Sequence, residues 1–213
     1  MTVLSQIGHS DAIAQGAQAI GLHLGSDIVS RLANHLALIE KWNAVHNLTA
    51  VRDQARMVTQ HVLDSLSIAA FLPSGTALLD VGSGAGFPGL SLAIARPDLQ
   101  VTVLDSNQKK AAFLQHCVGA LCIDNATSVC VRVERWTAPA LFPIIVSRAF
   151  SELQEFAALC GHLLTPTGRL LAMKGVYPHD EIARLPPSIT VQSVEPLMVP
   201  GLDATRHLVT LSI

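Results

Sequence analysis

The chain has 213 residues, 50 % of them hydrophobic, 14 % charged and 4 % aromatic. A chain of this length buries roughly 70 % of its unfolded surface without staples, which excludes a disulfide-held miniprotein, and the apolar content excludes a disordered chain. Lys and Arg number 14 against 16 Asp and Glu, a formal charge of −2, which argues against a general nucleic-acid binder, since such proteins present a basic surface.

The first 72 residues read as helices. Ile28, Leu32, Leu36, Ile39 and Asn43 follow one another at three- and four-residue steps behind a candidate N-cap at Ser26. A further helix starts over Asp53 to Met57, and the helical pattern continues over His61 to Leu72, up to Pro73. From there strands alternate with helices. Thr76–Val81, Val101–Asp105, Ser128–Val133, Ile144–Ser147 and Arg169–Met173 read as strands, with helices over Asn107–Leu121 and Glu152–Leu164. Thr190–Val194 and His207–Ile213 read as two last strands with no helix between them. Alternation implies right-handed crossovers and a parallel sheet, and the closing pair implies an antiparallel edge. The expected fold is α/β, with about seven mostly parallel strands, helices on both faces, an antiparallel C-terminal edge and a helical N-terminal cap. Residues 1–72 form the cap and residues 73–213 a Rossmann-like domain, packed as one unit.

Cys117, Cys122, Cys130 and Cys160 include no C-x-x-C pair and read as reduced thiols of a cytosolic protein. Met1 to Ser10 has no Lys or Arg and no long apolar block, so no signal peptide is expected there. No apolar run approaches the roughly 20 residues of a membrane span. The expected location is the cytoplasm. Nine histidines contain no H-E-x-x-H and no close His/Cys cluster, so no metal is expected.

The most informative stretch is Leu79-Asp80-Val81-Gly82-Ser83-Gly84-Ala85-Gly86-Phe87-Pro88-Gly89, which ends a strand and opens a helix. Glycines there let a ligand approach the backbone, and the helix N-terminus adds partial positive charge. Gly84-x-Gly86-x-x-Gly89 matches the dinucleotide fingerprint, and Asp105 lies where a ribose-binding acid would be. Asp80, two residues before the first glycine, favours a cationic amino-acid ligand over a pyrophosphate, so S-adenosylmethionine is the expected cofactor and the class I methyltransferase the expected type. Asp105 then takes the ribose hydroxyls, and Val133 and Glu134 border the adenine. After the fourth strand comes Val146-Ser147-Arg148-Ala149-Phe150, with no Asn/Asp-Pro-Pro-Tyr/Phe and no strand-end cysteine. That argues against an exocyclic amine or a pyrimidine carbon as target. A guanine N7, which carries no proton, remains. Three alternatives stay open on these residues: a methyltransferase of this fold acting on a small molecule or protein, an NAD-binding oxidoreductase, and a non-enzymatic RNA-binding factor.

The sequence resembles the bacterial 16S rRNA guanine-N7 methyltransferases, the family RsmG, formerly GidB. The resemblance rests on Lys41-Trp42-Asn43, His46-Asn47-Leu48-Thr49-Ala50-Val51-Arg52-Asp53, His61-Val62-Leu63-Asp64-Ser65-Leu66, the glycine loop, Ser147-Arg148-Ala149-Phe150, Lys174-Gly175 and Arg206-His207-Leu208-Val209. His46 stands where the family usually has Tyr, and Lys110 where it usually has Arg. The resemblance implies methyl transfer from S-adenosylmethionine to a guanine of the decoding-region hairpin of 16S rRNA, within the small ribosomal subunit or an assembly intermediate. It implies Gly82, Phe87, Val133, Glu134 and Arg148 as cofactor contacts, joined by Ser83, Gly84 and Asp105 of the loop and second strand. Asn47, Arg52, Arg148 and Lys174 are candidate RNA contacts. Asp64 and His61 read as structural, and Trp42 as packing. No catalytic residue is singled out. Lys41, Arg52, Arg56, Lys109, Lys110, Arg132, Arg135, Arg148 and Lys174 lie in the cap or near strand ends, so a near-neutral chain gains a local basic rim.

Overall fold

In the computed structural model the described residues are 8–148, 150 and 152–213. Residues 1–7 of the cap and Ala149 of the Ser-Arg-Ala-Phe run lie outside them. Seven strands form one sheet: β1 Ala77–Val81, β2 Gln100–Leu104, β3 Ala126–Val129, β4 Phe142–Ser147, β5 Leu164–Lys174, β6 Thr190–Pro196 and β7 His207–Ser212. Their order is β3-β2-β1-β4-β5-β7-β6, parallel from β3 through β5 and antiparallel at β7 and β6. β1 and β4 are neighbours although two strands intervene in the chain, so the strand order reverses between them. A crevice opens at such a point, beyond the carboxyl ends of the strands.

The cap consists of α1 His9–Ala19, α2 Ser26–His46, α3 Gln54–Met57, a π-helical segment Val58–Leu63 and α4 Asp64–Leu66, followed by a 3-10 turn Ala69–Phe71. α3 to α4 is one continuous helical path. Around the sheet lie α5 Gly89–Ala95, α6 Gln108–Ala120, α7 Leu153–Cys160 and α8 His179–Ala183. The buried side of the cap, including Ile13, Leu32, Leu36, Ile39 and Leu66, packs in one apolar cluster with Leu90 and Ile94 of α5 and with Phe113. A second cluster on the other face joins Leu79, Ile145, Phe156 and Leu211.

The structure shifts several boundaries. Ser26 is the first helical residue of α2. The cap position belongs to Gly25, and no side chain caps it. β3 starts and ends earlier than its alternating valines suggest. Asn125 fixes its entry by donating to the carbonyls of Ala93 and Leu99 at 3.0 and 3.1 Å. After Val129 the chain leaves the sheet and turns as a 3-10 helix over Val133–Arg135. α7 stops at Cys160 and a 3-10 turn leads into a longer β5.

Candidate active site

The site is built on the end of β1. Asp80 is fully buried and faces α5, where its Oδ2 accepts from the Gly89 amide at 2.8 Å. A Cβ on Gly89 would stand 2.6 Å from Val103 and 2.7 Å from the Asp80 carboxylate, so only glycine lets the helix start this close to the strand. Burial raises the Asp80 pKa to about 6. Asp80 therefore meets the loop from the side of α5. Its carboxylate is turned behind the loop, lines none of the three cavities below, and acts by anchoring the loop.

The loop is tied to β2 at each step. The amides of Gly82 and Ser83 donate to Leu104 O, and the Ser83 hydroxyl donates to Asp80 O at 3.0 Å. Gly84, at φ 59°, donates its amide to Asp105 Oδ2 at 3.0 Å, and Asp105 Oδ1 accepts from the Asn107 amide at 2.8 Å.

Three adjoining cavities follow the carboxyl edge of the sheet. The first, about 180 Å³, brings Gly82, Asp105, Val133 and Glu134 together. The second, about 190 Å³, takes in Gly82, Ser83, Gly84, Phe87 and Arg148, with Leu48 and Thr49 of the cap. The third, about 310 Å³, is lined by His61, Asp64, Arg148, Lys174 and Arg206. Gly82 is common to the first and second, His61 and Arg148 to the second and third. The first two fit S-adenosylmethionine in kind. The Asp105 carboxylate suits a ribose diol, and Val133 and Glu134 stand together where an adenine would be bordered, Val133 as an apolar wall. Beside Gly84 a Cβ would meet nothing nearer than Gly82 O at 3.9 Å, so the loop is open to an approaching ligand.

Phe87 is 3 % exposed and held on several sides. The His61 ring stacks on it at 4.7 Å, the His35 ring lies 5.0 Å away, and Arg148 Cζ stands 5.5 Å from its centroid. His35 Nε2 donates to Ala85 O at 2.8 Å, which ties α2 to the loop. Burial lowers the His35 pKa to about 4, and burial with the Arg148 charge lowers that of His61 to about 4.

Arg148 Nη1 donates to Gln60 O at 3.0 Å and to Asp64 Oδ2 at 2.9 Å. Arg206 Nε donates to the other oxygen, Asp64 Oδ1, at 3.0 Å. Asp64 is 2 % exposed, so one buried carboxylate orients two guanidiniums, one following β4 and one preceding β7, at the same edge of the sheet. Lys174 lines the third cavity, but its ammonium is engaged by Glu181 Oε2 at 2.8 Å. Asn47 and Arg52 line none of these cavities. Asn47 ends α2 in the left-handed region, and its Oδ1 accepts from Arg52 Nη2 at 3.3 Å.

Sequence reasoning passed over Arg206 and Thr49, and it gave His61 no part in the site. Each was visible only as a letter in a motif. Arg206 meets Asp64 across 142 residues of chain, a pairing that no local pattern reveals. Among the described residues no group of three His, Cys, Asp or Glu side chains could hold a metal ion, and no helix is long and apolar enough to cross a membrane.

The profile of the GidB family, rRNA small subunit methyltransferase G, matches residues 28–209. The chain is 51 % identical over 203 residues to the ribosomal RNA small subunit methyltransferase G of Chromobacterium violaceum, covering 95 % of this chain and 97 % of that protein. It is 50 % identical over 196 residues to the protein of the same name from Methylobacillus flagellatus, covering 92 % and 94 %. In fold it is similar to a SAM-dependent methyltransferase from Aquifex aeolicus, with a TM-score of 0.58 and 16 % identity over 78 % of this chain and 97 % of that one. It is also similar to the tRNA methyltransferase TrmK of B. subtilis, with a TM-score of 0.56 and 9 % identity over 70 % and 64 %. Seven strands in this order, a glycine loop over adjoining cavities and a family match from α2 to β7 agree: the chain belongs to the rRNA small subunit methyltransferase G family.

Proposed function

We propose that the protein methylates N7 of a guanine in the decoding-region hairpin of 16S rRNA, within the small ribosomal subunit or an assembly intermediate. Family membership sets aside the oxidoreductase reading. Bound S-adenosylmethionine supplies an electrophilic methyl group on a sulfonium. The residues proposed to hold it are Gly82, Ser83, Gly84, Phe87, Asp105, Val133, Glu134 and Arg148, along the first two cavities. The third cavity is proposed to take the guanine.

One observation carries the choice of N7. Among the described residues lining the second and third cavities, the acceptors that could remove a proton are engaged. Both oxygens of Asp64 face guanidiniums, and His61 Nε2 faces the Thr49 hydroxyl. An exocyclic amine or a hydroxyl needs its proton taken during transfer, whereas N7 offers a lone pair and no proton. Alignment is then the main catalytic contribution. Arg148 and Arg206, held by Asp64, have further N–H groups suited to guanine O6 or to a phosphate. Asp64 offsets one of their charges, which limits repulsion as the purine becomes cationic. Lys174 adds charge through its pair with Glu181. Asn47 and Arg52 serve as outer RNA contacts on the cap.

The test is incubation of purified protein and labelled S-adenosylmethionine with small subunits and with free 16S rRNA from a strain lacking the gene, followed by mapping of the label. Label on a guanine N7 of the decoding-region hairpin supports the proposal. Label on protein or on another RNA position, or none on either substrate, counts against it.

A further inference from the structure

Two segments of the cap, Asn47-Leu48-Thr49 and His61-x-x-Asp64, meet at one hydrogen bond. Thr49 Oγ1 lies 2.9 Å from His61 Nε2. We propose that Thr49 and His61 are a positioning pair, in which the Thr49 hydroxyl holds the His61 ring as an uncharged partition between the glycine-loop cavity and the larger cavity beyond it. This rests on the methyltransferase reading of those cavities and adds two residues to it.

The bond network assigns the tautomer. His61 Nδ1 stands 3.1 Å from Gln60 O, which can only accept, so Nδ1 carries the proton. Thr49 Oγ1 already accepts from the Val51 amide at 3.1 Å, so the hydroxyl hydrogen is free to be donated, and the lone pair of Nε2 receives it. The hydroxyl is itself placed by α2. Asn43, 4 % exposed, donates from Nδ2 to Thr49 O and accepts at Oδ1 from the Thr49 amide, each at 3.0 Å. On the other side the His61 ring stacks on Phe87. The last turn of the cap therefore sets the face of a ring that lines both cavities.

The charged and titratable groups around that ring come from every neighbouring element. Asp64 follows on the same helical path, Arg148 comes from the end of β4, and His35 reaches from α2 to the other side of Phe87. Lys174 of β5 and Arg206, just before β7, stand across the third cavity. A charged His61 would add a further cation beside Arg148. That would oppose a sulfonium in the second cavity while leaving a neutral thioether indifferent. Burial and Arg148 keep the ring neutral, and the bond from Thr49 stabilises that neutral form, so its removal makes protonation easier.

The test compares wild type with Thr49→Val, Thr49→Ser and His61→Phe, measuring affinity for S-adenosylmethionine and for S-adenosylhomocysteine by calorimetry between about pH 3.5 and pH 8, a range that spans the His61 step near pH 4. Thr49→Val is expected to weaken both ligands about fivefold at the upper pH. Its ratio of the two affinities is expected to turn against the sulfonium at a pH about one unit above the wild-type point. Thr49→Ser restores the hydroxyl and should follow wild type. His61→Phe should lack the change of ratio that accompanies protonation of the wild-type ring near pH 4. The pair is overturned if the Thr49→Val ratio superposes on wild type, if Thr49→Ser is as altered as Thr49→Val, or if His61→Phe keeps the wild-type pH dependence. The His61→Phe arm decides the matter if Thr49→Val does not fold. Wild-type protein that binds neither nucleoside overturns the methyltransferase reading itself. Wild-type protein that binds both, with Thr49→Val unchanged, overturns only the pair.

Discussion

Asp64 and the two arginines on it are the most exposed to single-residue change. Asparagine at position 64 keeps the shape but leaves two guanidiniums facing each other without a counter-charge. Removing one partner of a buried ion pair typically costs about 3 to 5 kcal/mol. Asp64→Asn should therefore lower the unfolding free energy by about 3 kcal/mol, read from denaturant midpoints, and reduce methyl transfer more than about tenfold. Wild-type stability with wild-type turnover would remove Asp64 from the site. The buried titratable groups give a pH prediction. His35 ionises near 6.5 when unfolded and at about 4 when folded, so its contribution to stability is intact above pH 6.5 and is lost as pH falls toward 4. The full difference is on the order of 3 kcal/mol. His61 acts in the same direction. Asp80, raised from 3.8 to about 6, acts in the opposite one, gaining stability as pH falls through that window. Chemical denaturation between pH 7 and pH 4 should show net loss on acidification for wild type. The loss should be shallower for His35→Gln and steeper for Asp80→Asn.

At the scale of elements, α6 provides a clean test. Asn107 is its N-cap, and Oδ1 accepts from the amides of Lys109 and Lys110 at 2.9 and 3.3 Å. Asn107→Ala should cost about 1 kcal/mol, while Asn107→Asp should be nearly neutral. A loss near zero for alanine would mean that water serves those amides as well. The helix was legible because its cap and its apolar period are both local. The same holds for β1, β2, the glycine loop and the antiparallel β6–β7 edge, where pattern and punctuation coincide. β3 misled because Val129, Val131 and Val133 alternate as a strand would, although only the first belongs to the sheet. The turn that carries Val133 and Glu134 to the first cavity depends on where the sheet lets the chain go. α8, five residues long, left no periodic signal, yet its Glu181 decides the environment of Lys174. The partnership of Asp64 with Arg148 and Arg206 was illegible for a related reason, since long-range ion pairs have no local signature.

For the whole molecule, the cap is part of the core. Leu36 and Ile39 of α2 are fully buried in the same cluster as Leu90 of α5, while Thr49 and His61 wall the second cavity. We propose the division into a cap of residues 1–72 and a sheet domain of residues 73–213 as a description of layout, not of independent folding. A fragment of residues 73–213 is expected to expose that cluster, giving no cooperative unfolding transition and no S-adenosylhomocysteine binding by calorimetry. A folded, binding-competent fragment would contradict this. The near-neutral charge, −2 over 213 residues, now has a consistent place. The cations of the site are partly neutralised by Asp64 and Glu181, which suits recognition of a shaped ribonucleoprotein surface through few phosphate contacts. Binding should therefore weaken only moderately with salt. The most direct measurement is the methylation state of 16S rRNA from cells with and without this protein. Loss of a single N7-methylguanine from the decoding-region hairpin in the deletion strain, restored by wild-type protein and not by Arg148→Ala, is the expected result. An unchanged 16S methylation pattern in the deletion strain would contradict it.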